Sequence, residues 1–380
     1  MDTGLILLIA ATQWIALLLT KHGISGIPVY VVLGALYASF SNTRQVSTSI
    51  LSLALLFLFF YAGINVDLDS VRRRFREALT LTFLNVSLTT ALVASLLLCL
   101  GTDLVASLIV GVALANTATE IAIVVLRESK VDLLTLRNLV IAASFMDDLL
   151  LVFLVALIQS TIFEVPVTVS AGLVLLNAVF LAVPFIISST TFRSVSRMSW
   201  DEFVFFASAL MFTLSFTARS LGVSEYMGVY VAGLSLSVLR LRRDPTLSYS
   251  TKLFNLLEHI TTYMRFFVYP LFFVILGTLS SITAFLDITA LTLLLAAFLG
   301  KFLGFFIYAR IFSRFGLGES ILGGLIMNSR GSIESALVLT AYINGLLSAG
   351  LFQSIVVVVV LSSIIVPFII RVIINERFIY

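Results

Sequence analysis

The sequence predicts an all-α polytopic membrane protein, and three observations carry that prediction. Of the 380 residues, 60% are hydrophobic and 11% are charged, whereas a soluble domain has roughly 45–50% apolar and about 25% charged residues. Apolar runs of about 20 residues, the length of a helix crossing a bilayer, follow one another along the whole chain. Strand-length segments of alternating polarity, the mark of a membrane barrel, are not the pattern here. The mean hydropathy of +1.14 leaves no long polar segment for an appended soluble domain.

The apolar runs give thirteen spans. They lie near residues 4–20, 27–41, 49–64, 78–100, 105–126, 138–161, 167–190, 202–219, 226–239, 253–277, 288–311, 318–346 and 350–370. The first run has no basic leader and no small-residue cleavage site, so it reads as a retained helix rather than a signal peptide. The basic residues supply an independent check on the number. Loops after odd-numbered spans hold Lys21, Arg72, Arg73, Arg74, Arg76, Arg127, Lys130, Arg137, Arg193, Arg197, Arg240, Arg242, Arg243, Lys252, Arg310, Arg314, Arg371 and Arg377. The other side holds only Arg44 and Arg219. A miscounted span would scramble this parity. By the positive-inside rule the N-terminus is outside and the C-terminus cytoplasmic, in a cell (inner) membrane.

An internal repeat organises the spans. Gly111-Val-Ala-Leu-Ala-Asn116-Thr117-Ala-Thr-Glu120-Ile121 resembles Gly323-Gly-Leu-Ile-Met-Asn328-Ser329-Arg330-Gly331-Ser332-Ile333. Leu58-Phe59-Phe60-Tyr61-Ala62-Gly63 resembles Phe272-Phe273-Val274-Ile275-Leu276-Gly277 at almost the same separation. Residues 1–161 and 201–380 therefore read as two six-helix repeats joined by a linker helix in 162–200. An odd number of spans separates the copies, so their orientations are inverted, an architecture of transporters. The first match also contains the most polar stretch of each fifth helix. Asn116 to Glu120 interrupts one span and Asn328 to Ser332 the other, which predicts two broken helices. Unwound backbone at membrane depth is tolerated only where it lines a cavity or finds partners in protein. Half-helix ends carry partial charges, and Glu120 and Arg330 are placed to compensate them or to pair with each other.

The chemistry centres on Ser144-Phe145-Met146-Asp147-Asp148, inside span 6. An ionised Asp at the centre of a membrane helix costs about 2.5–3.5 kcal/mol on insertion scales. Two in succession require a compensating cation or a role. The other intramembrane charges are Lys301 in span 11, Arg330 and Glu334 in span 12, and Glu120 in span 5. Adjacent helical residues point about 100° apart, so one Asp can face a fixed partner such as Lys301 while the other faces a cavity. Ser144 lies one turn before Asp148 on the same face. A carboxylate, a hydroxyl and unwound carbonyls are hard oxygen ligands that suit Na⁺ or Li⁺, with K⁺ also compatible, whereas Mg²⁺ or Ca²⁺ would usually want more carboxylates. The single cysteine, Cys99, offers no disulfide and no thiolate metal site. His22 and His259 are far apart, and no Gly-rich phosphate loop occurs. No cofactor, nucleic-acid partner or enzymatic centre is expected. An intramembrane aspartyl protease would need its carboxylates on two helices.

Taken together, these residues resemble the monovalent cation:proton antiporter-2 family, the NapA-like and KefC-like proteins related in fold to NhaA. Leu58-Phe59-Phe60-Tyr61-Ala62-Gly63-Ile64-Asn65-Val66-Asp67-Leu68, Met227-Gly228-Val229-Tyr230-Val231-Ala232-Gly233-Leu234, Gly300-Lys301-Phe302-Leu303-Gly304 and Ser329-Arg330-Gly331 are similar to its motifs, in order along the chain. The resemblance implies crossed broken helices and a homodimer. It also implies a core domain of spans 3–6 and 10–13 that moves as an elevator against a dimer domain made of the remaining spans. It implies that Asp148 takes the cation (Na⁺) or proton, that Asp147 pairs with Lys301, and that Thr117 and Thr119 line the site near Asn116. Two departures stand out: Ser332 occupies the place after Arg-Gly where Glu is common, with Glu334 two residues on, and Glu120 is an acid many members lack. The implied activity is Na⁺ (or Li⁺)/H⁺ antiport. A K⁺/H⁺ antiporter on the same scaffold is the first rival, and a Na⁺-coupled solute symporter of the bile-acid type the second.

Overall fold

The structure is a computed structural model that describes residues 3–20, 26–41, 48–118, 134–161, 167–242, 244, 247–313 and 315–377. It is helical throughout. The helices are α1 (Thr3–Thr20), α2 (Ile27–Ser41), α3 (Thr48–Ile64), α4 (Leu68–Arg73), α5 (Phe75–Cys99), α6 (Leu104–Leu114) and α7 (Leu134–Thr161). They continue as α8 (Val167–Phe180), α9 (Val183–Arg197), α10 (Trp200–Ser220), α11 (Glu225–Leu239), α12 (Ser248–Tyr263) and α13 (Tyr269–Thr278). The last four are α14 (Ile288–Ile311), α15 (Leu317–Ile326), α16 (Ser332–Ile343) and α17 (Ala349–Arg377).

Among the described residues, six helical stretches are long and apolar enough to cross a membrane: Phe75–Cys99, Val174–Arg197, Trp200–Ser220, Ser248–Thr278, Ile288–Ile311 and Ala349–Ile370. Several shorter apolar helices accompany them, including Leu104–Leu114, Leu317–Ile326 and Ser332–Ile343. The shortness of these three has a local cause. Each abuts a stretch of non-helical backbone, at 115–118 after α6 and at 327–331 between α15 and α16. The stretch between α12 and α13 is a π turn, Met264–Val268, which precedes Pro270, a residue that cannot donate to an α-helical ladder.

The chain packs as two compact units. The first comprises Met1–Ser47, Ser70–Leu151 and Pro270–Tyr380. Its apolar core gathers Ala78 and Leu81 of α5, Leu139, Val140 and Ala143 of α7, Phe305 and Tyr308 of α14, Ile326 and Met327, and Val366 and Ile370 of α17. Close approach of α5 and α14 is allowed by Gly300 and Gly304. A Cβ on Gly300 would fall 2.6 Å from Thr89 Cα, and one on Gly304 would fall 2.4 Å from Asn85 Oδ1. Small residues play this part wherever membrane helices pack on van der Waals contact rather than on water exclusion. The second unit comprises Thr48–Asp69 and Val152–Tyr269. Within it α3 and α11 cross backbone to backbone at Gly63 and Gly233, and the Ser237 hydroxyl donates to the Val66 carbonyl.

Candidate functional site

The site lies within the first unit, where the two stretches of unwound backbone meet. The helices that precede them end at Leu114 and Ile326, 212 positions apart. That is the separation of the sequence repeat. The Ala118 amide donates to the Ser329 carbonyl at 2.9 Å, and the Ser329 hydroxyl donates back to the Ala118 carbonyl at 3.3 Å. Two short strands of backbone that would each expose unpaired groups thus satisfy one another. An unmade buried hydrogen bond costs about 1–3 kcal/mol, so this pairing removes much of the penalty of breaking a helix at membrane depth. Thr117 ties the same junction at its side chain, donating to Asp147 Oδ2 at 2.9 Å and approaching the Met327 carbonyl at 3.2 Å.

Charges occupy the helix ends where their signs are favourable. The C-terminus of α6 carries the partial negative charge of its last carbonyls. Two buried cations reach it from distant parts of the sequence: Lys301 Nζ donates to the Ala115 carbonyl and Arg330 to the Leu114 carbonyl. Lys301 also lies 3.2 Å from Asp147 Oδ2, with both side chains removed from solvent. At the N-terminus of α16 the sign reverses, and the group supplied is an anion. Glu334 Oε1 accepts the Gly331 amide, and its Oε2 accepts the Asn116 side-chain amide at 3.1 Å. A glutamate at the third position of a helix is the usual partner of the first free amide. Here it also bridges to the other break.

The remaining candidates fall as follows. Asp148 sits beside Asp147 on α7 and is 4% exposed. Ser144 is fully buried, and its hydroxyl donates to the Val140 carbonyl of its own helix at 2.8 Å, leaving its oxygen lone pairs as acceptors. Thr119 and Glu120 lie outside the described residues. The structure therefore brings together Asn116, Thr117, Asp147, Lys301, Arg330 and Glu334, with Asp148 and Ser144 on the same helix as Asp147. Sequence reasoning passed over three neighbours on α5. Thr82 donates to the Ala143 carbonyl at 3.1 Å and lies beside the Asp147 carboxylate, and Asn85 and Thr89 follow it on the same helix face. A polar stripe at i, i+3 and i+7 in an otherwise apolar span was the signal for them.

These features define an all-helical polytopic membrane protein with buried acidic and basic side chains gathered where two unwound stretches meet. The family described as "Sodium/hydrogen exchanger, transmembrane" matches residues 4–376, and the chain belongs to it. Among relatives, the "Probable Na(+)/H(+) antiporter 3" of Methanocaldococcus jannaschii is 22% identical over 93% of this chain and 92% of its own length. The "Na(+)/H(+)-K(+) antiporter GerN" of Bacillus cereus is 25% identical over 89% of this chain and 86% of its own. The fold is similar to that of the sodium proton antiporter MjNhaP1 from Methanocaldococcus jannaschii, with a TM-score of 0.73 and 18% identity over 97% of this chain and 94% of that one.

Proposed function

We propose that the protein is a secondary active antiporter that exchanges Na⁺ (or Li⁺) for H⁺, with Asp148 as the carboxylate that takes either ion. The observation that carries this reading is the buried Asp147–Lys301 pair beside the paired helix breaks. It engages one carboxylate of a neighbouring pair, and the second, Asp148, lies next to it on α7. Membership of the exchanger family and the antiporters among the relatives support it. A cation at Asp148 competes with a proton for the same oxygen atoms. If only loaded states reorient across the bilayer, exchange is obligatory. When a cation binds, Lys301 releases Asp147, so two protons travel against one cation and transport is electrogenic.

The finer architecture belongs to the same proposal. Thirteen spans form two inverted repeats, and a core of spans 3–6 and 10–13 moves as an elevator against a dimer domain in a homodimer. The N-terminus is outside and the C-terminus cytoplasmic, in the cell (inner) membrane. The antiporter-2 branch, with its NapA-like and NhaA relationships, is supported by Asp147-Asp148 and Lys301. The fold likeness itself is to an NhaP1-type protein, so the branch rests on those residues alone. The test is a pH-gradient dequenching assay in proteoliposomes comparing Na⁺, Li⁺ and K⁺. Wild type is expected to respond to Na⁺ and Li⁺, and Asp148→Asn to neither. Exchange persisting in Asp148→Asn would sink the reading, and a K⁺ response larger than the Na⁺ response would replace it with the potassium one. Insensitivity to a valinomycin-clamped potential would remove the two-proton stoichiometry.

A further inference from the structure

The asparagines at corresponding places of the two breaks are used differently. Asn328 turns back on its own chain, its Nδ2 donating to the Gly324 carbonyl at 2.8 Å. Asn116 turns outward, its Nδ2 donating to Glu334 Oε2 at 3.1 Å, across 218 positions of sequence. Both partners of this second bond are buried. Asn116 Oδ1 has no hydrogen-bond partner among the described residues, so Glu334 is what holds this amide. Glu334 is itself fixed, because its other oxygen accepts the Gly331 amide. A charged acceptor makes such a bond about twice as strong as a neutral one. The rest of the unwound segment is tied as well. Leu114 and Ala115 are held through their carbonyls by Arg330 and Lys301, and Ala118 through its amide by Ser329. Asn116 and Thr117 are the two residues of 114–118 tied by their own side chains, and they are adjacent. Fixing the first constrains where the second points, and the second donates to Asp147 Oδ2 at 2.9 Å.

We infer that Asn116 and Glu334 form a strap between the two breaks that positions Thr117 on Asp147 and thereby sets the affinity of the neighbouring Asp148 for the cation. The inference rests on the antiport reading given above. Asn116 and Glu334 act through Thr117, as positioning residues. The physical basis is pre-organisation. With the strap made, the segment 115–118 is held in one arrangement. Without it the segment spreads over several, and only a fraction of the molecules presents a site ready to bind. The apparent dissociation constant rises by the inverse of that fraction. Turnover measured at saturation changes little, because bound cation draws the population back to the competent arrangement.

The test compares wild type, Asn116→Leu, Asn116→Asp and the double variant Asn116→Asp with Glu334→Gln in proteoliposomes. Half-saturating Na⁺ and maximal rate are read from pH-gradient dequenching, and Tm is measured in detergent. Asn116→Leu is expected to raise half-saturating Na⁺ about tenfold and to keep the maximal rate within about twofold of wild type. Asn116→Asp sets two buried carboxyl groups against each other and is expected to raise half-saturating Na⁺ by about as much. The double variant remakes the bond with donor and acceptor exchanged and keeps the wild-type charge. It is expected to return half-saturating Na⁺ to within about threefold of wild type. Wild-type half-saturation in Asn116→Leu would overturn the inference. So would a double variant no better than Asn116→Asp alone. A lowered maximal rate and Tm in Asn116→Leu with half-saturating Na⁺ unmoved would overturn it too, because that marks a purely structural tie. Wild-type vesicles lacking any Na⁺-driven proton flux would instead bring down the antiport reading, and this role with it.

Discussion

The two helix breaks of the first unit solve the same problem with opposite means. The break after α6 exposes carbonyls, and it is served by cations brought from far along the chain, Lys301 on α14 and Arg330 beyond α15. The break before α16 exposes amides, and it is served by an anion from the first turn of the helix it opens, Glu334. The difference follows from side-chain direction and sign. Helical side chains lean back toward the N-terminus, so a residue of the first turn can reach its own free amides. The last carbonyls of α6 are reached instead from distant parts of the sequence, by Lys301 and Arg330, whereas at the end of α15 Asn328 Nδ2 donates to the Gly324 carbonyl at 2.8 Å from within its own break. One recruit, Lys301, is thereby shared between a structural task at Ala115 and the Asp147 carboxylate. The two tasks compete for one ammonium group, and that makes the first break the one coupled to ion chemistry.

The largest break in this comparison is Lys301→Leu. It leaves Asp147 without its cation and the Ala115 carbonyl without its donor. Removal of one member of a buried pair typically costs about 3–5 kcal/mol. A marked fall in thermal stability in detergent is expected, and Lys301→Leu with Asp147→Asn should be more stable than Lys301→Leu alone. Equal stability of the single and double variants would show that the pair is not coupled. Next comes Thr117→Val, which keeps the shape and loses the hydroxyl that joins Asp147 Oδ2 to the second break. About 1–3 kcal/mol is the expected loss, measured by chemical or thermal unfolding in the same detergent. A loss smaller than that of an exposed Thr→Val control, at Thr213 for example, would show that the junction does not need this bond.

Glu334→Gln sharpens the contrast between the ends. It keeps an acceptor for the Gly331 amide, replaces the Oε2 that accepts the Asn116 amide with an NH2 group, and removes the charge that favours a helix N-terminus. That term is worth about 0.3–1 kcal/mol, and up to about 2 in partly buried geometry. The comparison predicts a smaller effect than at Lys301, because Glu334 serves its break from within the same helix. A Tm loss matching that of Lys301→Leu would contradict the distinction.

The charged members of this site were readable because a charge in an apolar run is conspicuous whatever the fold. Asp147, Asp148, Lys301 and Arg330 announce themselves by cost alone. The unwound stretches at 115–118 and 327–331 were readable because Asn116, Thr117, Asn328, Ser329 and Arg330 are polar where a span should be apolar, and because the two stretches match each other. What the sequence could not carry was the pairing of backbone with backbone. The Ala118–Ser329 bond and the reach of Arg330 to Leu114 involve carbonyls, which every residue has and which no residue type marks. Asn85 and Thr89 were missed for a related reason. Neutral polar residues in a membrane helix usually bond to their own backbone, and only the packing against Gly300 and Gly304 shows that these two do not. The helix lengths were also obscured locally. The span expected at 167–190 is divided into α8 and α9 by a turn at 181–182, and the stretch long enough to cross a membrane there runs from Val174 to Arg197.

An N-terminal cap outside the membrane spans gives an effect of the same order as that at Glu334. Asp287 caps α14 by accepting the Thr289 amide at 2.9 Å, and Ser354 of α17 donates to its other oxygen at 2.9 Å. The Thr289 amide holds the Asp287 carboxyl below its ordinary value, with the Ser354 hydroxyl assisting. A folded-state pKa that is depressed gives stability that is complete above the unfolded value of about 3.9 and is lost as pH falls through the folded one. Asp287→Ala should therefore lower stability by about 1 kcal/mol near neutral pH. The gap from wild type should close progressively below about pH 4. A gap that stays constant to lower pH would mean that packing of the side chain, not its charge, sets the effect.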